Sequence, residues 1–168
     1  AGVAIPPQGV VRVNINRPGT ASATEFFTGI SGMRALKSKD ALALFKSNLF
    51  ADPAEILDFV QWGSVGNGGE DVAISAGIWP SASFVAVTSL REGSSLAYDG
   101  TGDQPSDWCV DGSPTLGAPN DGCSPSFPRS GVILHEVGYV RTGPEAYHPA
   151  VELKNVGAAT EDLGGKII

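Results

Sequence analysis

No stretch of this sequence longer than ten residues carries an apolar stripe of helical period. What recurs is short runs of alternating apolar and polar residues, each stopped by Gly, Pro, Asn or Asp. Alternation with a period of two marks a strand with one buried face, whereas an interior Gly or Pro costs a helix about 1 or 3 kcal/mol. With 22 Gly and 12 Pro in 168 residues, the pattern argues against a helical bundle. A hydrophobic share of 42% against 17% charged residues rules out a disordered chain or a coiled coil. A chain of this length folding as one compact domain buries roughly 70% of its unfolded surface.

The alternating runs set out the expected strands. Val11 to Ile15 alternate between Pro6-Pro7 and Arg17-Pro18-Gly19, and the segment 20–39 that follows has no period and reads as a long excursion. Leu42 and Leu44 alternate in 41–45; after the Asp52-Pro53 turn, Ile56, Asp58, Val60 and Trp62 fall on one side of a second run and Leu57, Phe59 and Gln61 on the other. These two runs form an expected hairpin pair. GSVGNGG (63–69) is a loop with an Asn-Gly turn signal, and 70–78 fits neither period. Short strands are expected at Ser83–Val87 and Ser95–Tyr98, then a long loop from Asp99 to Arg129. Further strands follow at Val132–Val137, Val151–Asn155 and Leu163–Ile168. Seven to nine such strands, with turn signals every 8–15 residues, predict an all-β sandwich or barrel.

Charge and cysteine usage bound the setting. Eleven basic residues against 18 acidic ones give a net charge of −7, which repels a phosphate backbone and argues against a nucleic-acid partner. No apolar run approaches 18 residues, so no transmembrane segment is expected. Cys109 and Cys123 flank a Gly/Pro-rich loop that can fold back and close a disulfide. Cross-linking about 15 residues contributes on the order of 3 kcal/mol, chiefly by constraining the unfolded chain. An even cysteine count, and an opening Ala1-Gly2-Val3 without Met, fit an exported product from which a leader has been removed. Zinc is not expected, because no CxxC or nearby histidine completes a ligand set.

Residues that could carry chemistry are few. His135 lies in an apolar run beside Glu136, whose side chain the alternation sends to the opposite face, and His148 precedes Pro149; both read as structural. No nucleophile elbow, HExxH helix, P-loop or dinucleotide fingerprint occurs, so no enzyme is expected. GSVGNGG is not followed by Lys-Ser/Thr, and Glu70-Asp71 would repel a phosphate. Asp99, Asp103, Asp107 and Asp111 recur every four residues in a Gly-rich loop, a setting that can wrap calcium without matching the EF-hand spacing. Asp before Gly also serves turn geometry alone. Trp79, before Pro80, and Trp108, beside Cys109, are candidates to present a ring to a sugar or peptide, with packing of Trp108 on the expected disulfide as the plainer role. Phe26-Phe27 are the candidate apolar contact with another subunit.

Several segments together resemble the lamin-tail domain, an immunoglobulin-like β-sandwich family. His135-Glu136-Val137 followed by VELKNVGAATEDLGGKI (151–167) is similar to its opening strand pair, with the pattern ELxNxG…DLxG. KDALALFKSNLFADPAEILDFVQWG (39–63) resembles its central hairpin, which ends in Asp-x-hydrophobic-x-Trp-Gly. Ile78-Trp79, GSSL (93–96), Asp107-Trp108 and SPTLGAPN (113–120) are similar to its closing segment. Together they cover well over half of the chain. The order departs from the family, since the opening strands stand last and AIPPQGVVRVNI (4–15) resembles what normally follows them.

This order divides the chain into a main body (1–120), a linker (121–131) and C-terminal strands (132–168) that complete the sandwich. Residues 130–168 close either on their own chain, as in a circular permutant, or on a neighbour, where repetition makes rings or filaments. In the second case Val132, Ile133, Leu134, Val137, Val151 and Leu153 are the contacts between subunits. The expected role is a secreted, non-catalytic module for self-assembly or adhesion, a fibre or surface-layer subunit. The alternative is an extracellular accessory module binding carbohydrate, peptide or calcium.

Overall fold

The computed structural model describes residues 4–15, 17–28, 37–87, 90, 93–115, 117–118, 120, 131–141 and 147–166, with only the backbone described at 139–141, 147 and 148. In chain order the elements are β1 (Ala4–Ile5), β2 (Val10–Asn14), β3 (Glu25–Phe27), β4 (Asp40–Phe45) and β5 (Ile56–Trp62). They continue with α1 (Glu70–Ser75), β6 (Ser95–Tyr98), β7 (Trp108–Asp111), β8 (Val132–Arg141), β9 (Tyr147–Asn155) and β10 (Glu161–Asp162). The fold is all-β, as the alternating runs predict.

Six strands form the main sheet in the order β3-β2-β9-β8-β6-β7. Every neighbour in it is antiparallel except β3, which runs parallel to β2. The β8–β9 hairpin therefore stands at the centre, between β2 from the start of the chain and β6 from its middle. β4 and β5 make the expected hairpin, in register from Asp40 opposite Trp62 to Leu44 opposite Asp58, with a shift of one residue before Phe45 opposite Ile56. β1 and β10 form a small antiparallel ribbon that pairs Ala4 with Asp162 and Ile5 with Glu161.

One face of the main sheet supplies Val11, Val13, Leu96, Leu134, Val137, Val151 and Leu153, all buried. They share a single apolar core with Leu44, Phe45, Ile56, Phe59, Val60 and Trp62 of the β4–β5 hairpin. The six apolar residues expected as subunit contacts, Val132, Ile133, Leu134, Val137, Val151 and Leu153, thus lie within their own chain's interior.

Local departures from the expected elements have local causes. β3 lies inside the expected excursion, held by ladder bonds to β2 and by the bond from Arg12 N–H to the Thr24 carbonyl rather than by any apolar period of its own. Residues 70–78 contain α1, whose first turn places Glu70 and Asp71 at the positive end of the helix. At Ser83–Val87 there is a single bridge, Val85 to Trp62, not a strand. The expected loop 99–129 contains β7 and a 3-10 turn at Pro105–Asp107. The last strand is also misplaced by the sequence pattern. The chain pairs at Glu161–Asp162 and then turns, with Lys166 N–H bonded to the Leu163 carbonyl, while residues 167 and 168 lie outside the described residues.

Candidate functional site

One group of the polar side chains that the fold buries gathers on the face of the main sheet away from the apolar core. Side chains directly opposite in an antiparallel ladder share a face. Arg12 stands opposite Glu152, and Glu152 opposite Glu136. One register step away, Asn14, Ala150, Gly138, Ser95 and Asp111 form a second row across the sheet.

Strict alternation would send His135 to the other side. A bulge between Leu134 and Glu136 corrects this expectation: the extra residue on β8 lets two consecutive side chains face the same way. His135 Nδ1–H donates to Glu152 Oε1 at 2.6 Å, and the imidazole is buried. Glu136, fully buried, accepts the Ser95 hydroxyl proton on Oε1. Gly138 makes room for that serine, because an added Cβ would stand 2.6 Å from Ser95 Cβ.

A strap of chain closes this face. Thr115 N–H donates to Glu136 Oε1 at 3.3 Å, and Gly117 N–H donates to Glu152 Oε2. Asn120 then pins the strap to the sheet, donating to the carbonyls of Tyr98 at 2.9 Å and His135 at 3.0 Å. These three residues belong to SPTLGAPN (113–120), and two of them, Thr115 and Gly117, spend their main-chain donors on two buried carboxylates.

The cover leaves two buried carboxylate oxygens without a hydrogen-bond partner among the described residues, Glu136 Oε2 and Asp111 Oδ2. Burial pushes the Glu136 carboxyl up to about 7. The bond from Ser95 opposes the rise, the charge of Glu152 adds to it, the bond from Thr115 opposes it, and Asp111 adds a smaller push. Lys154 and Arg12, on the same face, are both pushed down by burial, and the Glu152 charge resists that in each case.

The other candidate residues are placed as follows. Among the described residues no group of three or more His, Cys, Asp or Glu side chains is arranged to hold a metal. Asp99 Oδ1 caps the Thr101 N–H at 2.8 Å, Asp107 Oδ2 accepts the Gln104 N–H at 2.8 Å, and Asp111 Oδ1 accepts the Ser113 N–H at 2.7 Å. Each of these three stabilises its own turn; Asp103 is also engaged. Neither tryptophan presents its ring to solvent, a correction to both candidates. Trp79 packs edge-on against Phe59 at 5.4 Å and donates to the Ser83 carbonyl; Trp108 is tilted on Tyr98 at 5.1 Å. Phe26 is 38% exposed on the edge strand β3, and Phe27 lies beneath the Arg17 guanidinium at 5.7 Å. Cys109 is on β7, no cysteine among the described residues is free, and Cys123 lies outside them. The side chain of His148 is likewise outside them. No described helix is long and apolar enough to cross a membrane.

No protein-family model, curated protein or solved structure matches this chain.

Proposed function

We propose that the chain is an extracellular, non-catalytic structural module, an immunoglobulin-like β-sandwich of the lamin-tail type, used in assembly or adhesion. The element that joins copies is the β8–β9 hairpin. One observation carries this reading: the hairpin fills the middle of the main sheet and follows a Gly/Pro/Ser-rich stretch at 111–131. Lifted out, it would leave β2 and β6 each with a bare edge that only an equivalent hairpin can satisfy. A second copy can offer that hairpin in the same register, so an exchanged dimer or fibre needs no new contact.

The lamin-tail assignment draws support from its motif residues, each of which has a structural duty. Trp62 is fully buried and donates to the Lys37 carbonyl at 2.8 Å. Gly63 has φ +74°, where only glycine is unstrained, and a Cβ there would meet the Ser38 carbonyl. Asn155 binds the Ile5 and Ala159 carbonyls and accepts the Gly157 N–H.

Light scattering on a size-exclusion column, over a wide range of protein concentration, tests the reading, with electron microscopy of the largest fraction. Dimers or longer assemblies are expected. A chain that stays strictly monomeric and stable at every concentration overturns the exchange.

A further inference from the structure

We propose that Glu136, at the bulge of β8, is a proton-operated latch that holds the strap at Thr115 and Gly117 closed over the β8–β9 hairpin. The latch belongs to a single chain and operates whether or not copies exchange.

Hydrogen-bond inventory separates the two buried glutamates. A carboxylate has about four acceptor positions and wants donors at them when it leaves water. Glu152 meets this demand with one donor on each oxygen, His135 and Gly117. Glu136 meets it on one oxygen only, from Ser95 and Thr115, while Oε2 is buried without a partner among the described residues. The smallest group that satisfies such an oxygen is a proton on the carboxyl itself.

The surroundings favour that form. Glu152 on β9 stands directly opposite Glu136 in the ladder, and Asp111 on β7 adds a second like charge. The cations on this face are Arg12 on β2 and Lys154 on β9. Arg12 is paired with Glu25, and both cations feel the charge of Glu152. His135 on β8 is committed to Glu152. Ionised Glu136 would thus face two carboxylates across a buried interface, while the cations of this face act on Glu152 rather than on Glu136.

The strap is where that repulsion is relieved. Thr115 and Gly117 reach one carboxylate each, so separation of Glu136 from Glu152 pulls on both strap bonds. Opening the strap admits water to both carboxylates and bares one face of the central hairpin. Protonation keeps the strap shut, and a rise in pH through neutrality releases it.

Amide hydrogen exchange of Thr115 and Gly117, measured on the full oxidised chain from pH 5 to pH 8 and corrected for intrinsic rate, tests the latch. One proton governs the opening, so the opening constant should rise by at most about tenfold per pH unit and level off once Glu136 is ionised. Glu136→Gln, which is neutral at every pH, should flatten the profile. Asp111→Asn should move the wild-type transition to lower pH, because it removes one of the like charges. A wild-type profile without pH dependence overturns the latch. So does a Glu136→Gln profile that keeps it, or, should that variant fail to fold, an unmoved transition in Asp111→Asn.

Discussion

Asp58 of β5 accepts the backbone N–H of Leu134 of β8 at 2.7 Å, across 76 residues of sequence. Its second oxygen accepts the Phe59 N–H at 2.9 Å, and the side chain is buried. Leu134 lies at the β8 bulge, where ladder pairing is interrupted and a main-chain donor needs another partner. The carboxylate supplies it, and so joins the β4–β5 hairpin to the central strand of the other sheet at the point that turns His135 and Glu136 to the polar face.

Asp58→Ala removes both acceptors and strands two buried donors. The expected loss is about 2–4 kcal/mol, with Asp58→Asn losing roughly half of that because one acceptor remains without its charge. Urea denaturation at pH 7 measures it as a lower midpoint at constant m. A midpoint within experimental error of wild type for the alanine variant would remove Asp58 as the clasp.

Two glycines in the same loop separate strain from space. Gly63 has φ +74°, and a Cβ added there would stand 2.2 Å from the Ser38 carbonyl oxygen, whereas Gly66 has φ +81° and nothing within 4 Å. Gly66→Ala should cost only the left-handed backbone penalty, about 1 kcal/mol. Gly63→Ala carries that penalty and must also displace main chain, so its loss should exceed the Gly66 loss by about 1 kcal/mol or more. Equal losses in paired thermal melts would count against the close approach.

These two cases show what a one-dimensional pattern can carry. Period two located β2, β5, β6 and the cores of β8 and β9, because one face of each must be apolar. It failed at β3, an edge strand whose Glu25-Phe26-Phe27 is ordered by β2 rather than by burial of alternate residues. At His135-Glu136 it failed for a different reason: a bulge adds one residue, and alternation read across it assigns the second side chain to the wrong face. The acidic face was hidden for a related reason. Glu136, Glu152 and Asp111 come from three strands, and only the strand order brings them together. Gly138 carried a readable signal, a glycine inside a β-run where a neighbour approaches closely.

Asn155 ties the end of β9 to β1 and to the turn that leads into β10. Its Nδ2 donates to the Ile5 carbonyl at 2.8 Å and the Ala159 carbonyl at 2.7 Å, while Oδ1 accepts the Gly157 N–H at 2.9 Å. Asn155→Ala should cost about 2–3 kcal/mol and loosen the β1–β10 ribbon before the main sheet. Hydrogen exchange reports the order: the Ile5 region should lose protection while Leu134 and Leu153 keep theirs. Uniform loss of protection would instead assign Asn155 to the whole fold.

The proposed Cys109–Cys123 cross-link predicts no free thiol in the denatured, unreduced chain. Replacing both cysteines by alanine should lower stability by about 3 kcal/mol through the unfolded state, with the native sheet intact by circular dichroism. Titration of two thiols per chain under denaturing, non-reducing conditions would refute the cross-link, and with it the main support for an oxidising compartment.

Glu136 also fixes the sign of a global pH effect. Its carboxyl stands near 7 in the folded chain against an ordinary 4.5, so between those values the folded state binds the more protons. Stability from this group is therefore fully present below pH 4.5 and lost as pH rises through about 7. The whole effect is at most about 3 kcal/mol, since one pKa unit is worth 1.36 kcal/mol. Other carboxylates contribute their own slopes, and subtraction of Glu136→Gln removes them. The wild-type stability minus that of Glu136→Gln, from urea titrations at pH 4, 5.5, 7 and 8.5, should fall with pH and flatten above 7. A difference that rises with pH would mean that Glu136 is held ionised in the folded chain, and that its bonds from Ser95 and Thr115 outweigh its burial.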